Sequence, residues 1–226
     1  MIDIHSHIIP NVDDGSRSIE DSLEMIKNSI NQGCNAIICT PHFLHKKYVT
    51  PIEEIKKQFE LLKEAVKKEG LDVDLYLGQE ITYSSRENIL AMLDAGELLT
   101  INGSKYVLIE FSFHHRPDDF EDVIYRFNLH KYHPILAHIE RYEWMTLDDL
   151  RMLRNFECSF QVNANALIGK DGCKLKRLSK KYLKKGYVDY IASDMHYFRP
   201  SNLGSALKKV KNSEYFTRGE LLIANK

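Results

Sequence analysis

Cysteine is scarce in this chain: Cys34, Cys39, Cys158 and Cys173 are the only thiols among 226 residues. None of them forms a C-x-x-C pair, and no arginine stands six residues after any of them. A disulfide scaffold, a thiol redox motif and the C-x5-R nucleophile loop of cysteine-dependent phosphatases are therefore excluded. The thiols read as reduced, mostly core residues. An excess of charge of either sign is also lacking. Lys and Arg number 31 against 32 Asp and Glu, a formal charge of −1, which leaves no footprint for nucleic acid or an anionic membrane. The most basic stretch, Lys174 to Lys185, has the spacing of a solvated helix face. Apolar runs of spanning length are missing, and the first strand pattern starts at Met1, with no room for a secretory leader. The expectation is a cytoplasmic protein without stable membrane insertion. No Walker loop, G-x-G-x-x-G or G-x-S-x-G occurs.

What is present is an ordinary apolar fraction, 43%, in a length that suits one α/β barrel domain spanning 1–226. The opening Ile2-Asp3-Ile4-His5-Ser6-His7 alternates with period two, as a strand with unlike faces does. His5 and His7 are expected on one side, Ile2 and Ile4 on the other. Ser18 is the expected N-cap of a helix that carries Ile19, Leu23, Ile26 and Ile30 on one face and ends at Gly33. Ala36 to Cys39 is a second strand running into Thr40-Pro41-His42. Thr50-Pro51-Ile52-Glu53 reads as a capping box with proline at the first helical position.

Further strands are expected at Val73–Leu77, Tyr106–Phe111, Ile135–Ile139, Ser159–Val162 and Val188–Ala192. Helices are expected at 85–95, 118–132, from Thr146, at 175–185, and in the tail from Ser201. Seven alternations of strand and helix with short connections specify a parallel sheet. His5, His7, His42, Glu80, Glu110, His138, Asp194 and His196 all fall at or just beyond C-terminal strand ends. An open doubly wound sheet gathers ligands at one switch point, whereas a barrel brings every strand end to one mouth. The expected fold is a distorted (β/α)7 TIM-like barrel. Buried imidazoles and carboxylates in such number are costly unless metal-bound, so the cluster points to a metal centre.

His5-Ser6-His7, Thr40-Pro41-His42, Gly78-Gln79-Glu80, Ala137-His138-Ile139-Glu140-Arg141 and Ser193-Asp194-Met195-His196 resemble the ordered motifs of the polymerase and histidinol phosphatase (PHP) superfamily. DIHSHIIPNVDDGS, TPH and SDMH…RP resemble its bacterial capsule and exopolysaccharide tyrosine-phosphatase branch. The resemblance runs from Met1 to about Pro200 and implies three metals. His5, His7, Glu80 and Asp194 would hold the first. Glu80 would bridge to a second, completed by Glu110 and His138. His42 and His196 would hold the third with Asp14, the adjacent Asp13 being the alternative.

The donor set lacks thiolate and suits Mn, Fe, Zn or Co, of which the resemblance favours Mn2+. Arg141 and Arg199, just after two of the motifs, are assigned to the substrate phosphate. Glu140 is a candidate general acid. His45, His114 and His115 are placed at the entrance, and His130 and His133 are read as structural. The implied activity is hydrolysis of phosphotyrosine, and the implied partner is a tyrosine-phosphorylated protein, a bacterial tyrosine autokinase. Histidinol phosphatase and a non-enzymatic phosphotyrosine-binding module are the alternatives, with a polymerase-associated nuclease domain set further back.

Overall fold

Short apolar runs bounded by turn residues become nine parallel strand segments, and the amphipathic stretches between them become helices, in a computed structural model that describes residues 1–43, 47–85, 87–210 and 214–224. In chain order these are β1 (Ile2–Asp3), α1 (Ile19–Asn31), β2 (Ala36–Cys39), β3 (His42–Phe43), α2 (Ile52–Lys68), β4 (Asp74–Leu77) and β5 (Glu80–Thr82). Then come α3 (Ile89–Asp94), β6 (Tyr106–Glu110), α4 (Phe120–Leu129), β7 (His133–Leu136), α5 (Leu147–Asn155), β8 (Ser159–Asn163), α6 (Ala164–Ile168) and α7 (Cys173–Lys184). Last are β9 (Tyr190–Ala192), α8 (Leu203–Val210), α9 (Glu214–Thr217) and α10 (Glu220–Ala224).

The nine segments make seven staves. β2 and β3 are one stave broken at Thr40-Pro41, and β4 and β5 are another broken at Gly78-Gln79. Across the breaks Gly78 N–H donates to Cys39 O at 2.8 Å and Glu80 N–H to Pro41 O at 3.1 Å. One sheet runs β1-β2-β4 and the other β3-β5-β6-β7-β8-β9. The ring closes between the ends of β9 and β1, where Asp194 N–H donates to His5 O and His7 N–H to Met195 O, both at 3.0 Å. The expected seven-stave barrel is thus the observed one, with its distortion at the two broken staves.

Register sorts the core in two. Ile37, Val107, Ile109, Leu136, Phe160 and Ile191 pack outward under the helices, while Ile2, Ile4, Ile38, Leu108, Ile135 and Ala192 form a smaller cluster inside the ring. This corrects the expectation that Ile2 and Ile4 oppose His5 and His7. The β1 ladder lasts only for Ile2–Asp3, after which the alternation breaks, so both sets come to lie within the barrel. The far end of the interior is closed by α10. Leu222 is fully buried in the inner cluster, and Gly219 lies so close to Ile2 that a Cβ there would stand 2.8 Å from Ile2 Cβ. Leu222→Ala is expected to cost about 2–5 kcal/mol in urea unfolding of the metal-free protein. A loss below about 0.5 kcal/mol would show that the plug is dispensable.

Capping chemistry corrects two further readings. Thr50 does not cap α2: its hydroxyl donates to Val12 O at 2.7 Å, and Pro51 itself is the N-cap, without a side-chain bond. The capping box is instead at Thr146, reciprocated by Asp149. The helix expected at 85–95 begins only at Ile89, where Asn88 caps Ala91 N–H, and Arg86 lies outside the described residues. The short α6 was not anticipated. The lysines of α7 are solvated as expected, its buried side chains being Ser179 and Tyr182.

Candidate metal centre

The ends of the staves deliver His5, His7, His42, Glu80, Glu110, His138, Asp194 and His196 to one mouth. Two of these ligand candidates sit on backbone that disfavours any residue but glycine. His138 has φ 33° and Asp194 φ 49°, strained turns of the kind that persist where the surroundings over-determine them. A close approach elsewhere shapes the first loop. A Cβ on Gly15 would lie 2.0 Å from His7 O, so only glycine lets Ser16 N–H donate to that oxygen at 3.0 Å.

Glu80 is the hub. Its Oε2 lies 3.1 Å from His5 Nε2, 3.3 Å from His7 Nε2 and 3.0 Å from His42 Nδ1, while Oε1 lies 2.9 Å from His138 Nε2. Asp194 Oδ1 is 3.7 Å from His5 Nε2 and 3.5 Å from His7 Nε2. Glu110 Oε2 is 3.5 Å from His138 Nε2, and its Oε1 accepts from the Thr82 hydroxyl at 2.5 Å. Asp14 Oδ1 stands 3.6 Å from Nε2 of both His42 and His196.

The two candidate aspartates are thereby separated. Asp13 is consumed by support: its Oδ2 faces His7 Nδ1 at 2.8 Å and accepts from His42 N–H at 2.9 Å, and its Oδ1 accepts from Gly15 N–H at 2.9 Å. Asp14 Oδ1 has no hydrogen-bond partner. The implied three-way partition of ligands is blurred rather than reproduced. His42 faces Glu80 and Glu110 with one ring nitrogen and Asp14 with the other, and His7 groups both with His5 and Glu80 and with His42 and His196.

Electrostatics follow from this crowding. Burial penalises the Glu80 carboxylate, yet His5, His42 and the His138 hydrogen bond hold it well below the usual carboxylate range. Burial likewise opposes charge on Asp194, which His5, His7 and Arg199 hold far down. Burial and the neighbouring Glu80 charge instead push Glu110 up to about 8. Burial brings His138 down to about 4, and the facing His196 and His42 rings keep Asp14 low.

A divalent cation fits these residues. Glu80 Oε2, His42 Nδ1 and Asp14 Oδ1 are buried without hydrogen-bond partners, and buried orphan acceptors are rare unless something satisfies them. Imidazole nitrogen and carboxylate oxygen, with no thiolate, are the donors of a hard to borderline ion. Three of the thiols, Cys34, Cys39 and Cys158, are buried away from the cluster and Cys173 is exposed.

Beside the cluster opens a cavity of about 480 Å3. Its inner wall carries the candidate ligands Asp14, His42, Glu80, Glu110, His138, Asp194 and His196, but not His5 or His7, and its outer wall carries Tyr48, Phe113, Leu175 and Phe198. Arg141 stands between the two, its guanidinium 4.1 Å from the Phe113 ring centroid and no nearer than 3.5 Å to Asp194. Arg199 also lines the cavity, but its guanidinium is engaged. One nitrogen donates to Asp194 O at 2.9 Å and Oδ2 at 2.6 Å, the other to Asp171 Oδ2 at 2.5 Å.

Glu140, the candidate acid, is absent from this wall. It is buried on the other side of Arg141, its Oε1 accepting from Asn163 N–H at 2.9 Å. The entrance histidines are not at the cavity either: His114 pairs with Glu143 and His115 is exposed. His45 lies outside the described residues. His130 pairs with Asp94, and His133 opens β7 beside Tyr106. Sequence reasoning missed Asp13 as a support, Asp171, Thr82, and Gln161 and Asn163 of β8. The last pair fall at the inward-facing parity of that strand, which was the only available signal.

Residues 1–224 match the family model described as "Capsular polysaccharide synthesis, CpsB/CapC". CapC of Staphylococcus aureus is 34% identical over all of this chain and 89% of its own length. Tyrosine-protein phosphatase YwqE of Bacillus subtilis is 33% identical over 89% of this chain and 80% of its own length. A crystal structure from the pair YwqE of Bacillus subtilis and CpsB of Streptococcus pneumoniae, described as unique metal-dependent tyrosine phosphatases, superposes with a TM-score of 0.91. It is 30% identical, covering 100% of this chain and 95% of that one.

Proposed function

This chain belongs to the CpsB/CapC family of capsular polysaccharide synthesis proteins, and on that premise we infer that it is a metal-dependent protein-tyrosine phosphatase. The observation that carries the reading is the convergence of orphaned carboxylate and imidazole atoms beside a cavity with an aromatic outer wall. His5, His7, Glu80 and Asp194 would hold one ion. Glu80, Glu110 and His138 would hold a second, and Asp14, His42 and His196 a third. Manganese is the proposed resident, with iron, zinc and cobalt the alternatives the same donors accept. When bound, the ions supply Lewis-acid charge for the phosphoryl oxygens and acidify a water near neutral pH.

The chain's own residues do the rest. Arg141, braced on Phe113 and little used by other partners, presents a guanidinium fork to two phosphate oxygens. Arg199 reaches the same cavity already clamped between Asp171 and Asp194. Its contribution is to fix the Asp194 carboxylate and to lend positive charge at the phosphate's edge. The tyrosine ring rests against Phe113, Tyr48 or Phe198. Its phenolate, with a pKa of about 10, departs without a strong acid, which accords with Glu140 lying outside the cavity. The proposed substrate is a tyrosine-phosphorylated protein, a bacterial tyrosine autokinase of capsule or exopolysaccharide synthesis, met in the cytoplasm by one domain comprising 1–226. Among the described residues no helix is long and apolar enough to cross a membrane.

Phosphate release tests this directly. A phosphotyrosine peptide, a phosphoserine peptide and histidinol phosphate are offered to the chelator-stripped protein and again after Mn2+ is restored. Release from phosphotyrosine alone, dependent on Mn2+, is expected. A preference for histidinol phosphate would move the enzyme to amino-alcohol phosphates, and metal-independent release would dismiss the centre.

A further inference from the structure

β8 is the one stave that supplies no candidate metal ligand, yet its two inward-facing amides touch ligands from three others. Gln161 and Asn163 are both fully buried. The orientation of Gln161 is fixed by a group that can only donate: His138 N–H points at Gln161 Oε1 at 2.7 Å. The amide nitrogen is then on the far side, where it donates to Asn163 Oδ1 at 2.8 Å. Asn163 is oriented in turn, so that its Nδ2 donates to Asp194 Oδ2 at 2.8 Å. One backbone N–H thus sets the direction of a chain of hydrogen bonds that ends on a carboxylate.

The same Gln161 oxygen lies 3.3 Å from His5 Nδ1. An amide oxygen only accepts, so the neutral His5 ring must carry its hydrogen on Nδ1 and leave Nε2 bare. Bare Nε2 is the atom that faces Glu80, Asp194 and the Nε2 of His7, the last at 3.1 Å. Asp13 acts alike on the other side, taking the Nδ1 hydrogen of His7. The αL turn at His138 takes that residue's N–H to Gln161, whereas the preceding Ala137 N–H still bonds Ile109 O.

We propose that Gln161 and Asn163 are positioning residues of the metal centre, a carboxamide relay that fixes the ring tautomer of His5, the strained backbone of His138 and the carboxylate of Asp194 together. The proposal rests on the metal-centre reading above. It differs from a packing role because the relay has a polarity: an isosteric apolar side chain fills the space but cannot accept at His5 and His138.

The test is Mn2+ titration calorimetry of the full chain, with thermal unfolding of the metal-free protein as the control for packing. Gln161→Met is expected to weaken Mn2+ binding about 10–100-fold, with little change in metal-free melting temperature. Gln161→Glu keeps the acceptor oxygen at His5 and His138 but sets a second oxygen against Asn163 Oδ1, where the amide donates, and is expected to bind more weakly than the wild type. Asn163→Ala, which removes both the donor on Asp194 and the acceptor of the Gln161 amide, should weaken binding about 10-fold and serves if Gln161→Met does not fold. With Zn2+ bound and histidine labelled with 15N, the His5 Nδ1–H proton should carry the downfield shift of a hydrogen-bonded proton, which Gln161→Met loses. Affinities within twofold of wild type for Gln161→Met and Asn163→Ala would overturn the relay, as would Gln161→Glu binding as tightly as the wild type. A wild type that binds no Mn2+ would sink the metal-centre reading itself, which the other outcomes leave standing.

Discussion

Glu80→Gln lowers kcat/KM for a phosphotyrosine peptide by at least about 10^3-fold, an expected loss of roughly 4 kcal/mol of transition-state stabilisation. Four candidate ligands, His5, His7, His42 and His138, approach its two oxygens within 3.3 Å. Glutamine preserves the shape but replaces one oxygen with an NH2, a donor where lone pairs are needed, and removes the charge that the proposed first and second ions would share. The fold should survive, because a neutral amide is cheaper to bury than a carboxylate. Measuring kinetics, bound metal by mass spectrometry and melting temperature on the same preparation separates these effects. Full activity with full metal content would dismiss Glu80 as the shared ligand, whereas a collapsed melting temperature would assign it to folding instead.

Arg141→Ala is expected to cost about 10^2–10^3-fold in kcat/KM, roughly 3–4 kcal/mol, while metal content stays at wild type. Arg141 meets the candidate ligands only through the 3.5 Å approach to Asp194, so its removal should spare the centre and strip the phosphate of its fork. Arg141→Lys should recover only part of the rate, since an ammonium neither forks onto two oxygens nor lies flat on Phe113. Arg199→Ala should differ in kind. Its partners are Asp171 and Asp194, so metal affinity should fall together with activity. Steady-state kinetics beside metal titration for the two variants checks the division, and equal metal loss in both would refute it.

Most of the centre was legible in the sequence because its ligands fall at strand ends, and strand ends are announced by local signals. Period-two alternation, apolar runs and turn residues place His5, His42, Glu80, Glu110, His138 and Asp194 where a parallel barrel must bring them together. The seven staves, the mostly buried thiols and the arginine after His138 were likewise matters of short-range pattern.

The tertiary structure alone decided what depends on a partner far along the chain. Asp13 and Asp14 are neighbours of one chemical type, and their roles separate only because Asp13 meets His7 and the His42 amide while Asp14 is left open. Arg199 and Glu140 carried the right chemistry in the right motifs. The one is clamped by Asp171 from a loop 28 residues away, and the other is turned behind Arg141. The polarity of Gln161 is set by a single N–H freed by the strained turn at His138. Local sequence dictates backbone periodicity, which is a property of each residue and its near neighbours. Hydrogen-bond direction and the placement of buried charge belong to pairs, and those pairs exist only once the barrel has closed.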